Sequence, residues 1–146
     1  MPQVMSALAQ DTAQVAQLEE QLFSDPMSED VLLQCLDRDI FVVLKNGRRV
    51  FGYMLAQCVL DEMEILRIAV DPAYRRRGYA RRLLSHLREM AKDQGVTCCF
   101  LEVRESNLAA RNLYQGFGFE MCGRRKGFYR QPDEDAIMMK VQWGVE

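Results

Sequence analysis

Glu102 stands in the middle of a run of strand type, Cys98 to Arg104, beside Phe100. A carboxylate held against apolar neighbours has its charged form disfavoured, so its pKa rises toward the range useful to a general base near neutral pH. On pattern alone, a carboxylate turned to solvent is the commoner case. Asn107 and Tyr114 follow, seven residues apart. An α-helix drifts only ~20° per heptad, so both side chains would lie on one helix face, two turns apart and close to the end of the strand carrying Glu102. Taken singly, an asparagine cap and a core tyrosine with a wet hydroxyl are commoner. The third feature is basic: five of the eight residues from Arg75 to Arg82 are arginine, and Gly78 lies among them. This loop follows an apolar strand and a turn at Asp71-Pro72 and leads into an amphipathic helix. A helix N-terminus offers unpaired N–H donors and about half a positive charge, while Gly78 and small Ala80 allow close approach to the backbone. The pattern is that of a phosphate cradle. It is neither a Walker A loop, which needs Gly-Lys-Ser/Thr, nor the dinucleotide fingerprint, which needs Gly-x-Gly-x-x-Gly.

The elements that would position these groups read as follows. Val4 to Leu8 is a short first strand. Asp11 precedes a helix marked by Val15, Leu18 and Leu22, with Gln14 three residues on as in a capping box. Ser28 caps a second helix whose first turn carries Glu29 and Asp30 and whose buried side is Val31, Leu32, Cys35 and Leu36. Ile40 to Leu44 pairs antiparallel with Val50 to Leu60 through the Asn46-Gly47 turn, and Glu64 to Val70 extends the meander. Ala80, Leu83, Leu84, Leu87, Met90 and Ala91 keep helical spacing up to Gly95. The strand, helix, strand unit from Glu64 to Arg104 places its two strands parallel. Ser106 or Asn107 starts another helix, stopped by Gly116 or Gly118. Phe119 to Gly123 and Ala136 to Val141 are the last two strands.

At 146 residues, with 49% apolar and 27% charged residues, the chain suits a single domain spanning 1–146. No apolar run reaches the ~20 residues of a membrane span, and the N-terminal residues lack the pattern of a signal peptide, so a cytoplasmic protein is expected. The five cysteines are odd in number, lie in apolar segments and form no Cys-x-x-Cys pair, which reads as reduced core residues. His86 has no second histidine to share a metal with. Net charge is −2, and setting aside the arginines of the basic loop leaves 14 basic against 21 acidic residues. The positive charge is therefore local, which favours a compact anionic ligand over nucleic acid.

The segment Ile68-Ala69-Val70-Asp71-Pro72 followed by Arg75-x-x-Gly78-x-Ala80 resembles the acetyl-coenzyme A signature of the GCN5-related N-acetyltransferases. Leu101-Glu102-Val103-Arg104-x-Ser106-Asn107-x-x-Ala110 and Leu113-Tyr114-x-x-Phe117-Gly118-Phe119 extend the resemblance over nearly the whole chain. It implies a mixed α/β fold whose mostly antiparallel sheet splays between the fourth and fifth strands and is flanked by helices. It also implies acetyl-coenzyme A as cosubstrate and no metal. The pantetheine would pair with the backbone of Ile68, Ala69 and Val70 and bond to Asn107. The pyrophosphate would meet the segment Arg75, Arg76, Arg77, Gly78, Tyr79, Ala80 and Arg81. By the same resemblance Glu102 is the general base, acting through water, and Tyr114 the general acid.

Pro26-x-Ser28-Glu29, Val59-Leu60-Asp61-Glu62 and Glu134-Asp135-Ala136-Ile137-Met138-Met139 resemble the branch of that family that acetylates the N-terminal alanine of ribosomal protein S18. That implies the S18 N-terminus as acceptor and a monomeric enzyme. Met27 and Arg67 depart from the tryptophan and asparagine usual in that branch, in regions expected to flank the acceptor. Another protein α-amine, a lysine or a small amine therefore stands as an alternative acceptor. A non-catalytic coenzyme A sensor would lack Glu102 or Tyr114. A nucleic-acid module would interleave more aromatics than Tyr74 and Tyr79 with its basic residues.

Overall fold

In a computed structural model describing residues 1–143, local signals set most element boundaries. The chain forms β1 (Gln3–Ser6), α1 (Thr12–Leu22), α2 (Glu29–Arg38), β2 (Ile40–Asn46), β3 (Arg49–Val59) and β4 (Glu62–Val70). It continues with α3 (Tyr79–Asp93), β5 (Cys98–Arg104), α4 (Leu108–Gly116), β6 (Glu120–Tyr129) and β7 (Glu134–Gln142). Ser28 caps α2 as expected, its Oγ accepting from the Val31 N–H at 3.2 Å. The Asn46-Gly47 turn joins β2 to β3.

The expected capping box of α1 does not form. The Asp11 carboxylate accepts from the Leu8 N–H at 2.8 Å and pairs with buried Lys45 at 3.0 Å. Gln14 instead reaches across to the hairpin, where its Oε1 accepts from the Val50 N–H at 2.9 Å. A long-range anchor thus replaces the local cap. Val31, expected inside, is exposed, because α2 buries only Leu32 and Cys35 fully. Cys35, Cys98 and Cys99 are buried and free, whereas Cys58 and Cys122 are exposed, which corrects the reading of five core cysteines. The strand expected over 119–123 runs on to Tyr129, and its partner begins at Glu134.

The seven strands form one sheet in the order β1-β2-β3-β4-β5-β7-β6, antiparallel throughout except for the parallel pair β4–β5. Both faces are covered near the centre, so β2 and β3 alternate between two cores. Phe41, Val43, Tyr53 and Leu55 pack with Val15 and Leu18 of α1 and with Leu32 and Cys35 of α2. Val42, Leu44, Met54 and Ala56 face the other way, packing with Leu83, Leu84, Leu87 and Ala91 of α3 and Tyr114 of α4.

The sheet opens between β4 and β5. Their pairing runs from Glu62↔Cys98 to Ile65↔Leu101 and then stops, although β4 continues to Val70 and β5 to Arg104. At the same point β4 carries an extra residue against β3: Leu55 pairs with Arg67 and Ala56 with Ile65, leaving Leu66 as a bulge. A bulge bends its strand and increases local twist, which turns the end of β4 away from β5.

Gly52 holds β3 close to that diverging end. A Cβ there would lie 2.9 Å from the Ala69 carbonyl oxygen, which is backbone and cannot rotate away. Gly52→Ala is expected to destabilise the fold by about 1–3 kcal/mol, read as a lower urea midpoint with an unchanged m-value.

Candidate active site

The opening leaves one edge of β4 without a strand partner, and the ladder on its other side determines which groups point into it. The Asp71 N–H donates to the Phe51 carbonyl at 2.8 Å, and Gly52 faces Val70 in the next position. Antiparallel pairs alternate between hydrogen-bonded and non-bonded. Val70 and Ile68 therefore turn their N–H and C=O toward the gap, while Ala69 directs its backbone groups at Tyr53 of β3. The Val70 carbonyl is reached from the gap side by Arg75 Nε at 3.4 Å. An extended, amide-bearing molecule could add to this edge as a strand does.

Below the edge, the basic loop leads into α3 as expected. Gly78 is the N-cap residue with φ 77°, and Arg76 also has positive φ, 65°. A Cβ on Gly78 would meet nothing within 4 Å, so glycine is needed there for its backbone angle. The amides entering α3 have no partners within the helix and, with the arginines around them, suit phosphate oxygens. A cavity of about 440 Å³ bordered by Val70, Arg75, Arg76, Gly78, Tyr79 and Arg81 joins this loop to the strand edge. Arg77 does not border it; its guanidinium lies 5.1 Å from the Tyr74 ring centroid.

Glu102 and Tyr114 border the opening from opposite faces of the sheet. Leu101 and Val103 belong to the core under α3 and α4, so Glu102 projects from the other face. Tyr114 is buried in that core. Both border a cavity of about 350 Å³ between the diverging strands, and Tyr114 also borders the loop cavity. Asn107 borders both cavities and caps α4, its Oδ1 accepting from the Ala110 N–H at 3.1 Å. That leaves the amide NH2 free to donate to a bound molecule.

Burial pushes the Glu102 carboxyl above its ordinary value; Arg125 opposes the shift and Glu64 adds to it. Arg125 Nε stands 3.0 Å from Glu102 Oε2, yet that oxygen has no aligned hydrogen bond among the described residues. Glu102 is thus a carboxylate with a raised pKa and acceptor capacity to spare. Burial also raises the Tyr114 phenol, with smaller contributions from Tyr129 and Cys99, so it keeps its proton at neutral pH and can act as a donor.

On the Glu102 face a further cavity of about 440 Å³ opens outward, bordered by Asp25, Glu64, Arg67, Arg104, Tyr129 and Gln131 among others. Tyr129, Glu64 and Arg104 have site positions that local sequence patterns did not mark. Arg104 Nη1 donates to the Pro132 carbonyl at 2.8 Å and to Glu134 Oε1 at 3.2 Å. Its Nη2 donates to the Arg130 carbonyl at 2.8 Å and to Ser24 Oγ at 3.2 Å. The guanidinium lies 4.6 Å from the Tyr129 ring centroid. One side chain on β5 thereby ties the β6–β7 connection to the segment after α1. The alternation of Glu102 and Arg104 on one strand face is the only sequence sign of this arrangement.

A sheet opened between a parallel pair, with an arginine-lined helix start beneath the opening, is the framework of acyltransferases of the N-acetyltransferase class. Residues 6–119 match the acetyltransferase (GNAT) family, and the chain belongs to it. It is 42% identical over 103 residues, 69% of each chain, to the ribosomal protein bS18-alanine N-acetyltransferase of Escherichia coli. The crystal structure of the ribosomal-protein-S18-alanine N-acetyltransferase from Escherichia coli superposes with a TM-score of 0.91 at 32% identity, covering 100% of this chain and 96% of that one. Arabidopsis thaliana NAA60, solved in complex with acetyl-CoA, shares the fold with a TM-score of 0.88 at 17% identity, covering 97% of this chain and 98% of that one.

Arg125 is the cation that holds down the Glu102 pKa. Were Glu102 a general base, activity would fall as pH drops through its pKa, because a base must be ionised to act. Arg125→Ala is expected to move the acidic limb of the kcat/KM profile to higher pH, and an unchanged limb would remove Glu102 as the group titrating there.

Proposed function

We infer that this enzyme transfers the acetyl group of acetyl-coenzyme A to the N-terminal α-amine of a protein, with the alanine-start N-terminus of ribosomal protein S18 as acceptor. The observation that carries this reading is the junction between β4 and β5, bordered by Glu102 from one face of the sheet and Tyr114 from the other. The residues suit the cosubstrate: a strand edge for amide groups, Asn107 as a side-chain donor, and an arginine-rich helix start for phosphates. When bound, acetyl-coenzyme A supplies an acetyl thioester to the junction.

A peptide α-ammonium has a pKa near ~8, so most of it must lose a proton before it can attack. Glu102, through a water, accepts that proton. The Val70 N–H faces the gap and can donate to the acetyl oxygen as charge develops there, the kind of preorganised contact that commonly dominates catalysis. The carbon–nitrogen bond forms, the carbon–sulfur bond breaks and Tyr114 donates its proton to sulfur; the second proton, shed by nitrogen as it becomes an amide, restores the phenol by way of water in the cleft. The apolar burial that raises the phenol equally disfavours a bare thiolate beside it. Holding amine and thioester in one cleft supplies further acceleration. The similarity to bS18-alanine N-acetyltransferases supports the choice of acceptor.

Intact-mass spectrometry of an S18 N-terminal peptide, a lysine peptide and a polyamine incubated with acetyl-coenzyme A tests the reading. The first is expected to gain one acetyl group; acetylation of the others alone would overturn it. Tyr114→Phe and Glu102→Gln should each lower kcat by about 10²–10⁴-fold, with coenzyme A affinity retained. Arg81→Ala should weaken that affinity, seen by calorimetry, without abolishing turnover at saturating cosubstrate.

A further inference from the structure

The six residues 23–28 between α1 and α2 belong to neither helix, yet this stretch forms one wall of the cleft. Phe23 borders the loop cavity and the junction, while Ser24 and Asp25 border the junction and the outer cavity. Something outside the stretch must hold it. Arg67, next to the β4 bulge, does so with a three-way fork. Its Nε lies 3.2 Å from Glu19 Oε2, and its Nη2 donates to the Asp25 carbonyl at 2.8 Å and to Asp25 Oδ1 at 3.2 Å. The guanidinium also lies 4.1 Å from the Phe23 ring centroid.

Glu19 is fully buried, accepting from the Tyr53 hydroxyl and from the Met27 N–H at 2.9 Å. Burying such a pair costs solvation that an apolar pair would not, so stability alone does not account for it. What the pair accomplishes is geometric: the wall is tied at Phe23, Asp25 and Met27 to one carboxylate–guanidinium unit that joins α1 to β4. A lysine could not reproduce it, because its single ammonium cannot span Glu19 and Asp25 while stacking on an aromatic face.

We propose that Arg67 is a positioning residue for the acceptor, clamping the wall segment through Glu19 and Asp25 so that acceptor affinity depends on the clamp while cosubstrate affinity does not. The proposal rests on the acetyl-transfer reading above. The cosubstrate's anchors, the β4 edge and the basic loop, lie outside the clamped segment, of which Phe23 alone reaches the loop cavity. The acceptor has only the outer cavity, one side of which is the clamped segment.

The test compares Arg67→Lys, which keeps a cation beside Glu19, with Asp25→Ala, which removes only the exposed arm of the fork. Two readouts are used: steady-state kinetics with an amine that the wild type acetylates, and amide hydrogen exchange. Arg67→Lys should raise acceptor KM about tenfold, as expected for loss of charge-assisted hydrogen bonds, with acetyl-coenzyme A KM within about twofold. Asp25→Ala should shift the same constant by less, and the double variant should be no worse than Arg67→Lys alone. The Met27 amide should exchange at least about tenfold faster in Arg67→Lys, with β5 amides unchanged. Unchanged acceptor KM, equal changes in both KM values, or wild-type exchange at Met27 each overturns the clamp. Exchange needs no substrate, so failure to acetylate any amine would refute the acetyl-transfer reading and leave the clamp to be judged on exchange.

Discussion

Parallel pairing between β4 and β5 ends at Ile65 and Leu101, and most of the site follows from that interruption. An intact ladder would consume the N–H and C=O groups of Ile68 and Val70 and bury Glu102 against a neighbouring strand. With the bulge at Leu66 the ladder parts, and two backbone residues and one carboxylate face a gap that passes through the sheet. Unpaired backbone groups inside a protein are costly unless something meets them. The exposed edge is therefore meaningful only with a ligand or water along it. Arg75 covers part of this need at the Val70 carbonyl.

Because the gap joins two faces, the two substrates of a transfer reaction need not compete for one entrance. The face covered by α3 and α4 carries the arginines of the basic loop and the helix start, whereas the other carries Glu102, Glu64 and Asp25 interleaved with Arg67 and Arg104. The first suits a polyanion, and the second offers carboxylates that an ammonium can approach. Tyr114, rooted in the core of the first face, and Glu102, projecting from the second, lie where the two paths meet. The T-shaped contact of Tyr114 with Phe119, centroids 5.7 Å apart, holds the phenol's ring against that core.

Features coded by neighbouring residues were legible in the sequence: the Ser28 cap, the Asn46-Gly47 hairpin, the Gly78 helix start and the alternation that sends Glu102 away from Leu101 and Val103. Features that depend on distant partners were not. Gln14 has the spacing of a capping residue, but a strand more than thirty residues away claims its amide. The Leu66 bulge has no glycine or proline to announce it and exists only in register with β3. Tyr129 lies beyond the short strand that the apolar pattern suggested, in a segment whose polar residues hide its ladder with β7. Arg67 stood out only as a departure from a family pattern, since its partners Glu19, on α1, and Asp25, in the segment after it, are more than forty residues away.

The environment of Glu102 is a compromise between two demands. A carboxylate fully paired with arginine would be too weak a base, and one left alone in an apolar pocket would remain protonated at neutral pH. Arg125 approaches Glu102 from β6 without an aligned hydrogen bond among the described residues, while Glu64, on the last paired stretch of β4, adds like charge. These two groups pull the pKa in opposite directions, and burial decides the net sign. Both stand on strands that the opening of the sheet leaves in place, one on each side of it. The interruption between β4 and β5 thus opens the cleft and also sets the surroundings that decide how strongly the carboxylate on its rim holds a proton.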